Sequence, residues 1–235
     1  MFIRSFAQFL TGLSACSLLI VGCATAPKPA ASTQSDWKVL FDGTSTAAFR
    51  GFKRADFPTN CWMITNGTLT SFRGGKKPTD VLTKEKYQNF ELECEWKISP
   101  GGNSGIIYRV SEDYDHSYMT GPEMQVLDDS KHHDGQNPKT SAGALYGLIA
   151  PEGKVLQPVG EWNKVRLVVN GTHVEHWLNG VKVVEYEWAS PKVKKLIAGS
   201  KFHPWIRYMT EAEGYIAFQF HGDVASYRNI RIRRL

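Results

Sequence analysis

The stretch Glu123-Met124-Gln125-Val126-Leu127-Asp128-Asp129 alternates polar and apolar residues with the period of a β-strand. The alternation places Glu123 and Gln125 on one face and Met124 and Val126 on the other. A packed sheet rarely uses same-face positions for a carboxylate and an amide unless that face binds a polar ligand. The stretch therefore predicts a strand with one core face and one ligand face, and the rest of the chain is expected to support it.

Short runs with strand character, separated by turn signals, dominate the sequence from residue 37 onward. Asn-Gly pairs at 66–67, 170–171 and 179–180 are typical of hairpin corners, and the last two divide a three-stranded meander. One helical pattern is visible, from Val193 to Phe202. Many short strands with little helix predict an all-β fold, a β-sandwich of two antiparallel sheets that best fits a jelly roll of the lectin/glucanase type, in one domain over residues 37–235. The predicted strand segments are 37–43, 62–70 (a hairpin), 90–98, 104–110, 123–127, 162–186 (the meander), 215–220 and 226–235.

The composition argues against a nucleic-acid-binding protein. The chain has 235 residues and a net charge of +5, and its densest basic cluster lies at Arg228, Arg231, Arg233 and Arg234. A nucleic-acid groove needs a concentrated basic patch with stacking aromatics, so this cluster is interpreted as a solvated final strand. Seven Trp residues suit both β-structure and the stacking of rings on sugars.

Residues 1–22 resemble a bacterial lipoprotein signal peptide. Arg4 supplies the positive charge, the apolar run from Phe6 to Val21 follows, and Cys23 is expected to carry the lipid. An ordinary secretory signal, cleaved near Ala24 or Ala26, is the alternative. The Ala-, Pro- and Ser-rich residues up to 36 are expected to form a flexible tether, which predicts a domain held at the bacterial cell envelope.

Two cysteines, Cys61 and Cys94, remain in the predicted domain. An oxidising envelope would allow them to form a disulfide, since each lies in a strand-like segment. Two isolated cysteines do not have metal-ligand spacing, and buried free thiols are the other possibility.

Seven motifs follow one another along the predicted domain: Leu40-Phe41-Asp42-Gly43, Gly102-Asn103-Ser104-Gly105-Ile106-Ile107-Tyr108-Arg109, Glu123-Met124-Gln125-Val126-Leu127-Asp128, Ala142-Gly143-Ala144-Leu145-Tyr146-Gly147, Glu161-Trp162-Asn163, Trp177-Leu178-Asn179-Gly180 and Phe218-Gln219-Phe220-His221-Gly222. In this order they resemble the 3-keto-disaccharide hydrolase family. This is a bacterial envelope family with a concanavalin A-like jelly roll, and the resemblance covers essentially all of 37–235. It implies cleavage of glycosides whose sugar has already been oxidised to a ketone at C3, by a separate oxidase or dehydrogenase.

A ketone at C3 changes the chemistry of glycoside cleavage. It acidifies the proton on C2, because the carbanion formed there is an enolate. The glycosidic oxygen on C1 is then β to the ketone and can be expelled, after which water adds back at C1. This route needs a base near C2, a donor or cation for the enolate oxygen and an acid for the leaving group, and it needs no organic cofactor.

Candidate residues for these roles come from the same motifs. Glu123 is the first candidate base and His132 the second, and either could instead be the acid. Arg109 could hold the enolate oxygen, and Tyr146 could donate to the leaving oxygen. The candidates for binding sugar hydroxyls are Gln125, Asp128, Gln219 and His221.

Simpler interpretations stand beside these assignments. Arg109 and Glu123 could form a cross-strand ion pair, and His132 and His133 could lie in a surface loop. His173 and His176 are expected to be exposed, and His203 is a further candidate for the pocket. Trp162 and Trp177 are more often core residues than sugar platforms.

Two other functions and a metal site remain as alternatives. A non-catalytic carbohydrate-binding jelly roll could use the same polar face. A retaining glucanase could use Glu123-x-Gln125-x-x-Asp128, although Asp128 reaches that face only through a bulge, and the carboxyls must lie about 5–5.5 Å apart. A divalent cation on Asp128, Asp129, His132 and His133 would stabilise an enolate, but their spacing matches no metal motif.

Overall fold

A computed structural model describes residues 36–73 and 77–235, in which nearly all regular structure is β. The predicted signal peptide, Cys23 and the tether up to residue 35 lie outside the described residues. The elements are β1 (Lys38–Phe41), β2 (Phe49–Gly51), β3 (Trp62–Thr65), β4 (Thr68–Ser71), β5 (Val81–Thr83), β6 (Phe90–Ile98), β7 (Asn103–Val110), β8 (Glu123–Leu127), β9 (Asn163–Asn170), β10 (His173–Leu178), β11 (Val181–Glu187), α1 (Pro191–Ala198), β12 (Tyr215–Phe218) and β13 (Ala225–Arg234).

Two Asn-Gly corners adopt the backbone conformation that the sequence predicts. Asn66 and Gly67 have φ values of 49° and 70°, and Asn179 and Gly180 have φ values of 50° and 83°. A positive φ at both central residues matches the twist of the strands that the turn joins, and asparagine and glycine tolerate it best. The hairpin β3–β4 and the meander β9–β10–β11 are therefore confirmed.

The strands form two antiparallel sheets. The larger has the order β11-β10-β9-β6-β13-β4-β3, with β1 also paired to β13, and the smaller has the order β2-β5-β12-β7-β8. Non-consecutive neighbours such as β6 and β13 are expected of a jelly roll. The predicted all-β sandwich is confirmed.

Strand β6 shows how the larger sheet divides its faces. Its apolar side chains, such as Leu92 and Trp96, are buried in the core between the sheets. Its glutamates lie on the opposite face, where Glu93 accepts hydrogen bonds from Arg231 and Glu95 from Arg228. The basic cluster of the final strand is thus paired with acidic neighbours, as expected for a solvated face.

The helix and the cysteines refine the sequence-based predictions. Helix α1 begins at Pro191, after Ser190, whose side chain accepts a hydrogen bond from the Val193 N–H, and it ends at Ala198 instead of Phe202. Cys61 and Cys94 are both buried free thiols. Among the described residues, no helix is long and apolar enough to cross a bilayer.

Candidate active site

Strand β8 presents its polar residues away from the core, as its alternation predicts. Its neighbour β7 pairs Gly105 with Gln125 and Ile107 with Glu123. A Cβ atom on Gly105 would lie 2.0 Å from Glu123 Oε1, so the carboxylate occupies the space that any larger residue would fill. Gly105 is therefore required by the close approach of the Glu123 side chain.

A cavity of about 290 Å³ opens over this face of the smaller sheet. It lies at the lower end of ligand-pocket volumes, which suits a single sugar ring. Five residues singled out in the sequence meet here: Glu123, Gln125, Tyr146, Gln219 and His221. The cavity is also lined by residues that sequence reasoning did not assign to it, namely Asn103, Tyr118, Lys201, Phe202 and Trp205.

The carboxyl group of Glu123 is buried, with 6% of the residue exposed. Burial raises its pKa to about 8, and the nearby Asp80 and Asp134 carboxylates add to that effect. The Lys201 ammonium opposes the shift, and Gln219 Nε2 donates a long hydrogen bond of 3.4 Å to Glu123 Oε2. A carboxylate with so high a pKa is a stronger base than an ordinary glutamate, which suits proton abstraction from carbon.

Three amide oxygens of the cavity lining have no hydrogen-bond partner among residues 36–73 and 77–235. They belong to Asn103, Gln125 and Gln219, all of which are buried. The orientations of the two glutamines follow from their Nε2 donors, which reach the Thr140 carbonyl at 3.2 Å and the Glu123 carboxylate. Buried acceptors are normally satisfied, so these oxygens indicate a ligand rich in hydrogen-bond donors, as sugar hydroxyls are.

The segment that carries Tyr146 runs beside β8 and is bonded to it through the backbone. The Tyr146 N–H donates to the Glu123 carbonyl at 3.0 Å, and the Gly143 N–H donates to the Gln125 carbonyl at 2.8 Å. The phenol donates to Asp134 Oδ2 at 3.1 Å. Burial, together with the charges of Asp134 and Glu123, raises the pKa of Tyr146, so the phenol keeps its proton over the physiological range.

Lys201 and an aromatic cluster complete the lining. The Lys201 Nζ lies 4.3 Å from the centre of the Tyr146 ring. The Trp205 ring lies 5.6 Å from Tyr118 and 5.9 Å from Phe202, centre to centre. Such rings can pack against the apolar face of a sugar. These residues come from the segment after α1 and the segment before β8, and no local motif marks them.

The two remaining candidates, His221 and His132, lie at different distances from the cavity. His221 lines the cavity with a half-exposed side chain, and partial burial lowers its pKa. The His132 ring lies 6.1 Å from the His221 ring, outside the cavity lining. Its Nδ1 accepts the Asp134 N–H at 3.1 Å, so the proton of the neutral ring is on Nε2. His133 lies farther out and pairs with Asp134.

Arg109 is a correction, because its guanidinium lies outside the cavity. Its φ of 52°, next to an irregularity in the β7–β12 pairing, interrupts the strand alternation that would have placed it beside Gly105 and Ile107. Its Nη2 donates to the Gln88 and Gly171 carbonyls at 3.0 and 2.9 Å, and the group stacks 4.6 Å from the Trp188 ring. Neither an enolate contact nor a cross-strand pair with Glu123 follows from this placement.

Asp128 is a second correction. Its carboxylate accepts the Gly101 N–H at 2.7 Å and the Ser130 N–H at 2.9 Å, so it stabilises a turn. Burial alone would raise its pKa, but these hydrogen bonds hold the pKa below the usual range. Asp129 is paired with Lys154. The four proposed metal ligands are therefore not assembled, although His132, His133 and Asp134 do bring potential ligand atoms within 4.8 Å of one another.

His176 is a third correction, since it is fully buried instead of exposed. Its ring lies 2.8 Å from the Tyr108 hydroxyl through Nε2 and 3.1 Å from the Gly143 carbonyl through Nδ1. Burial lowers its pKa to about 4, so the ring is neutral, donating to Gly143 and accepting from Tyr108. His176 thereby connects the core to the segment that carries Tyr146.

The other histidines and tryptophans considered in the sequence lie outside the cavity. His173 is only partly exposed, where full exposure was expected, whereas His203 is exposed and does not line the cavity. Trp162 and Trp177 lie on the outer face of the larger sheet, where Arg228 and Arg166 stack on them. They are therefore neither core residues nor sugar platforms in the cavity.

The fold and this cavity together define a carbohydrate-active jelly roll. The chain belongs to the family described as the 3-keto-alpha-glucoside-1,2-lyase-like domain, whose profile matches residues 36–233. It is 33% identical over 225 residues to the 3-keto-disaccharide hydrolase of Bacteroides thetaiotaomicron, covering 83% of this chain and 77% of that protein.

Solved structures agree with the family assignment. A Parabacteroides distasonis protein, provisionally named a glycosyl hydrolase, superposes with a TM-score of 0.78 at 30% identity, covering 85% of this chain and 94% of that chain. A second structure from that organism, named in the same way, has a TM-score of 0.67 at 31% identity and covers 85% and 99%. A GH16 endo-β-1,3(4)-glucanase matches with a TM-score of 0.50 at 11% identity, covering 84% and 94%, which shows the shared fold alone.

Proposed function

We propose that this protein is a glycoside hydrolase that cleaves 3-keto-glycosides, including 3-keto-disaccharides, by proton abstraction at C2, elimination and hydration. The observation that carries the proposal is the buried Glu123, whose pKa of about 8 accompanies three unpartnered amide oxygens in one small cavity. Membership of the family and the name of the Bacteroides relative support the same substrate class.

The first step uses Glu123 in its ionised form. The carboxylate takes the C2 proton, and the electron pair of the C–H bond moves into the enolate of the C3 ketone. Lys201, whose charge already acts on Glu123, replaces Arg109 as the cation for the enolate oxygen. The amide oxygens of Asn103, Gln125 and Gln219 accept hydrogen bonds from the ring hydroxyls.

The second step expels the glycosidic oxygen. As the enolate collapses, the C1–O bond breaks. The Tyr146 O–H turns from Asp134 Oδ2 to the departing oxygen and gives it the proton, while the ring stays beside Lys201. Water then adds to C1 of the resulting enone, its proton restores the Tyr146 phenol, and the proton on Glu123 returns to C2. The sum is one water consumed, with one 3-keto sugar and one free alcohol released.

The cavity favours this route over retaining hydrolysis of an ordinary glucan. A retaining enzyme needs a second carboxyl about 5–5.5 Å from the first. Among the described residues that line the cavity, Glu123 is the carboxylate, and Asp128 is bonded into its turn. A non-catalytic sugar-binding jelly roll would explain the amide oxygens but not the high pKa of a carboxyl group at their centre.

The test compares the wild type with Glu123→Gln on a 3-keto-glucoside, with the unoxidised glucoside and an unoxidised β-glucan in parallel. We expect the substitution to lower the release of the aglycone at least 10³-fold and to leave the circular dichroism spectrum unchanged. Wild-type kcat/KM should rise with pH and level off above about 8, because only the ionised base reacts. Full activity of the variant would contradict the role of Glu123, and glycan binding without turnover by the wild type would favour a binding module.

We propose that the domain is tethered at the bacterial cell envelope through a lipid on Cys23. We also propose that a separate oxidoreductase oxidises C3 of the sugar substrate to the ketone. The support is the sequence before residue 37 and the chemistry of the substrate, since nothing in the elimination route oxidises C3. A Cys23→Ser variant should lose metabolic labelling with a fatty acid and appear in the soluble fraction. Unchanged labelling would reject Cys23 as the attachment site.

A further inference from the structure

A second cavity, of about 460 Å³, adjoins the one that contains Glu123. Tyr146 and Lys201 line both cavities. On the proposed function, the glycosidic bond lies near these two residues, because Tyr146 protonates the departing oxygen. The second cavity is then the space into which the leaving portion of the substrate extends.

The walls of this second cavity are strongly basic. Its lining contains four lysines and, in the part of the chain that the structure describes, no acidic residue: Lys139, Lys192, Lys195 and Lys201. Within residues 36–73 and 77–235, none of the four ammonium groups forms an ion pair, whereas Lys154 and Lys182 elsewhere on the protein do. Lys201 also acts on Glu123, so the charges of Lys139, Lys192 and Lys195 are the ones available to a ligand of this cavity.

Helix α1 explains this concentration of charge. Its sequence, PKVKKLIA, contains three lysines and no acidic residue. Asp134 accepts a hydrogen bond from the hydroxyl of Tyr146, a residue of the lining, but does not itself line this cavity. Like charges held around one hollow repel each other and attract an anion, because the field of a cleft adds over its walls.

The two cavities are opposite in chemistry. The Glu123 cavity offers acceptor oxygens and a carboxyl group, which suit a neutral ring and disfavour an anion. The lysine-lined cavity offers four ammonium groups beside a few hydroxyls, and among the described residues it has no carboxylate. We propose that it binds an oxyanion on the leaving portion of the glycoside, a carboxylate, sulfate or phosphate, so that the preferred substrates are 3-keto-glycosides of anionic aglycones. This inference rests on the proposed function.

The test uses the 3-keto-glucosides of 4-hydroxybenzoate and 4-hydroxybenzamide, whose leaving portions are similar in shape but differ in charge. The measured quantity is the kcat/KM of the benzoate glycoside divided by that of the benzamide glycoside. This ratio is compared between the wild type and Lys192→Gln/Lys195→Gln. Comparing ratios cancels the intrinsic difference between the leaving groups. We expect the double variant to lower the ratio about fivefold to tenfold, and added salt to lower the wild-type ratio in the same direction.

Lys194→Gln is the matched control, because Lys194 is exposed on the same helix and does not line the cavity. It should keep the wild-type ratio. An equal ratio in the wild type, the control and the double variant would overturn the proposal while leaving the proposed function intact. Failure of the wild type to cleave either compound would instead count against the proposed function. Calorimetric affinities of the same two compounds would then decide whether the lysines favour the anion.

Discussion

At the scale of single residues, the properties of Glu123 depend on what surrounds it more than on what it is. Gly105 leaves the space that its carboxyl group fills, and burial there raises the pKa to about 8. The same glutamate on a solvated strand would be an ordinary acid with a pKa near 4.5. The absent side chain at position 105 is therefore part of the proposed active site.

The Gly105→Ala substitution tests this dependence. The added Cβ would lie 2.0 Å from Glu123 Oε1, so the carboxyl group must move. We expect a loss of about 1–3 kcal/mol in the free energy of unfolding, together with a loss of turnover of at least tenfold. Urea unfolding and aglycone release measure the two effects.

The double variant Gly105→Ala/Glu123→Ala is the control for the cause of that loss. It removes the side chain with which the new methyl group collides. Its stability should recover relative to the sum of the two single variants. Additive losses would show that Gly105 is needed for its backbone and not for the space above it.

At the scale of elements, β10 supplies a buried histidine that ties the core to the segment carrying Tyr146. In the folded protein the pKa of His176 is about 4, whereas in the unfolded chain its imidazole takes up a proton near pH 6.5. The contribution of His176 to the free energy of unfolding is therefore fully present above pH 6.5 and is lost as the pH falls toward 4.

Between pH 7 and pH 5, we expect this one group to cost the wild type about 2 kcal/mol of unfolding free energy. His176→Gln should be less stable than the wild type at pH 7 but should show a smaller loss on acidification. Urea unfolding at the two pH values measures both. His203→Gln, an exposed histidine, is the control and should follow the wild type. A wild-type slope in His176→Gln would refute the assignment.

The strands could be predicted where pattern and burial agree, and not elsewhere. Alternation gave β6 and β8 their bounds, and Asn-Gly pairs gave the hairpin corners. The three-residue strands β2 and β5 are too short to show a period, and the pattern did not reveal them. In β10 the signal was present: His176 shares the inward phase of Val174 and Leu178, and that phase implied burial.

The proposed site was predictable only in its strand-borne half. Glu123, Gln125 and Gln219 follow from alternation, and their placement in the cavity agrees with it. The prediction for Arg109 was wrong because a positive φ at a strand irregularity leaves no trace in a polar–apolar pattern. Lys201 and Trp205 reach the cavity from a segment that is distant in sequence. The tertiary contact between that segment and β8 leaves no signal in the local pattern.

At the scale of the whole molecule, the raised pKa of Glu123 lowers the stability of the folded protein as the pH rises. The folded protein holds this proton up to about pH 8, whereas the unfolded chain releases it near 4.5, so stability decreases as the pH rises between these values. Glu123→Gln cannot ionise and escapes that cost. We expect the variant to gain on the order of a few kcal/mol relative to the wild type at pH 8 compared with pH 5.

Thermal or urea unfolding at both pH values measures the gain. Glu213→Gln is the control, because Glu213 is exposed and its removal should not change the pH dependence. A gain of the same size for both variants would trace the effect to net charge instead of burial. Such a gain for Glu123→Gln alone would mean that the fold gives up stability for a reactive carboxylate.

The amide oxygens of Asn103, Gln125 and Gln219 also define what should block this protein. An iminosugar carries a protonated ring nitrogen, which would donate hydrogens to those oxygens and attract the ionised Glu123 while offering no ketone to enolise. Its inhibition constant should therefore fall as Glu123 ionises toward pH 8, and competition with a 3-keto-glucoside would reveal that pH dependence.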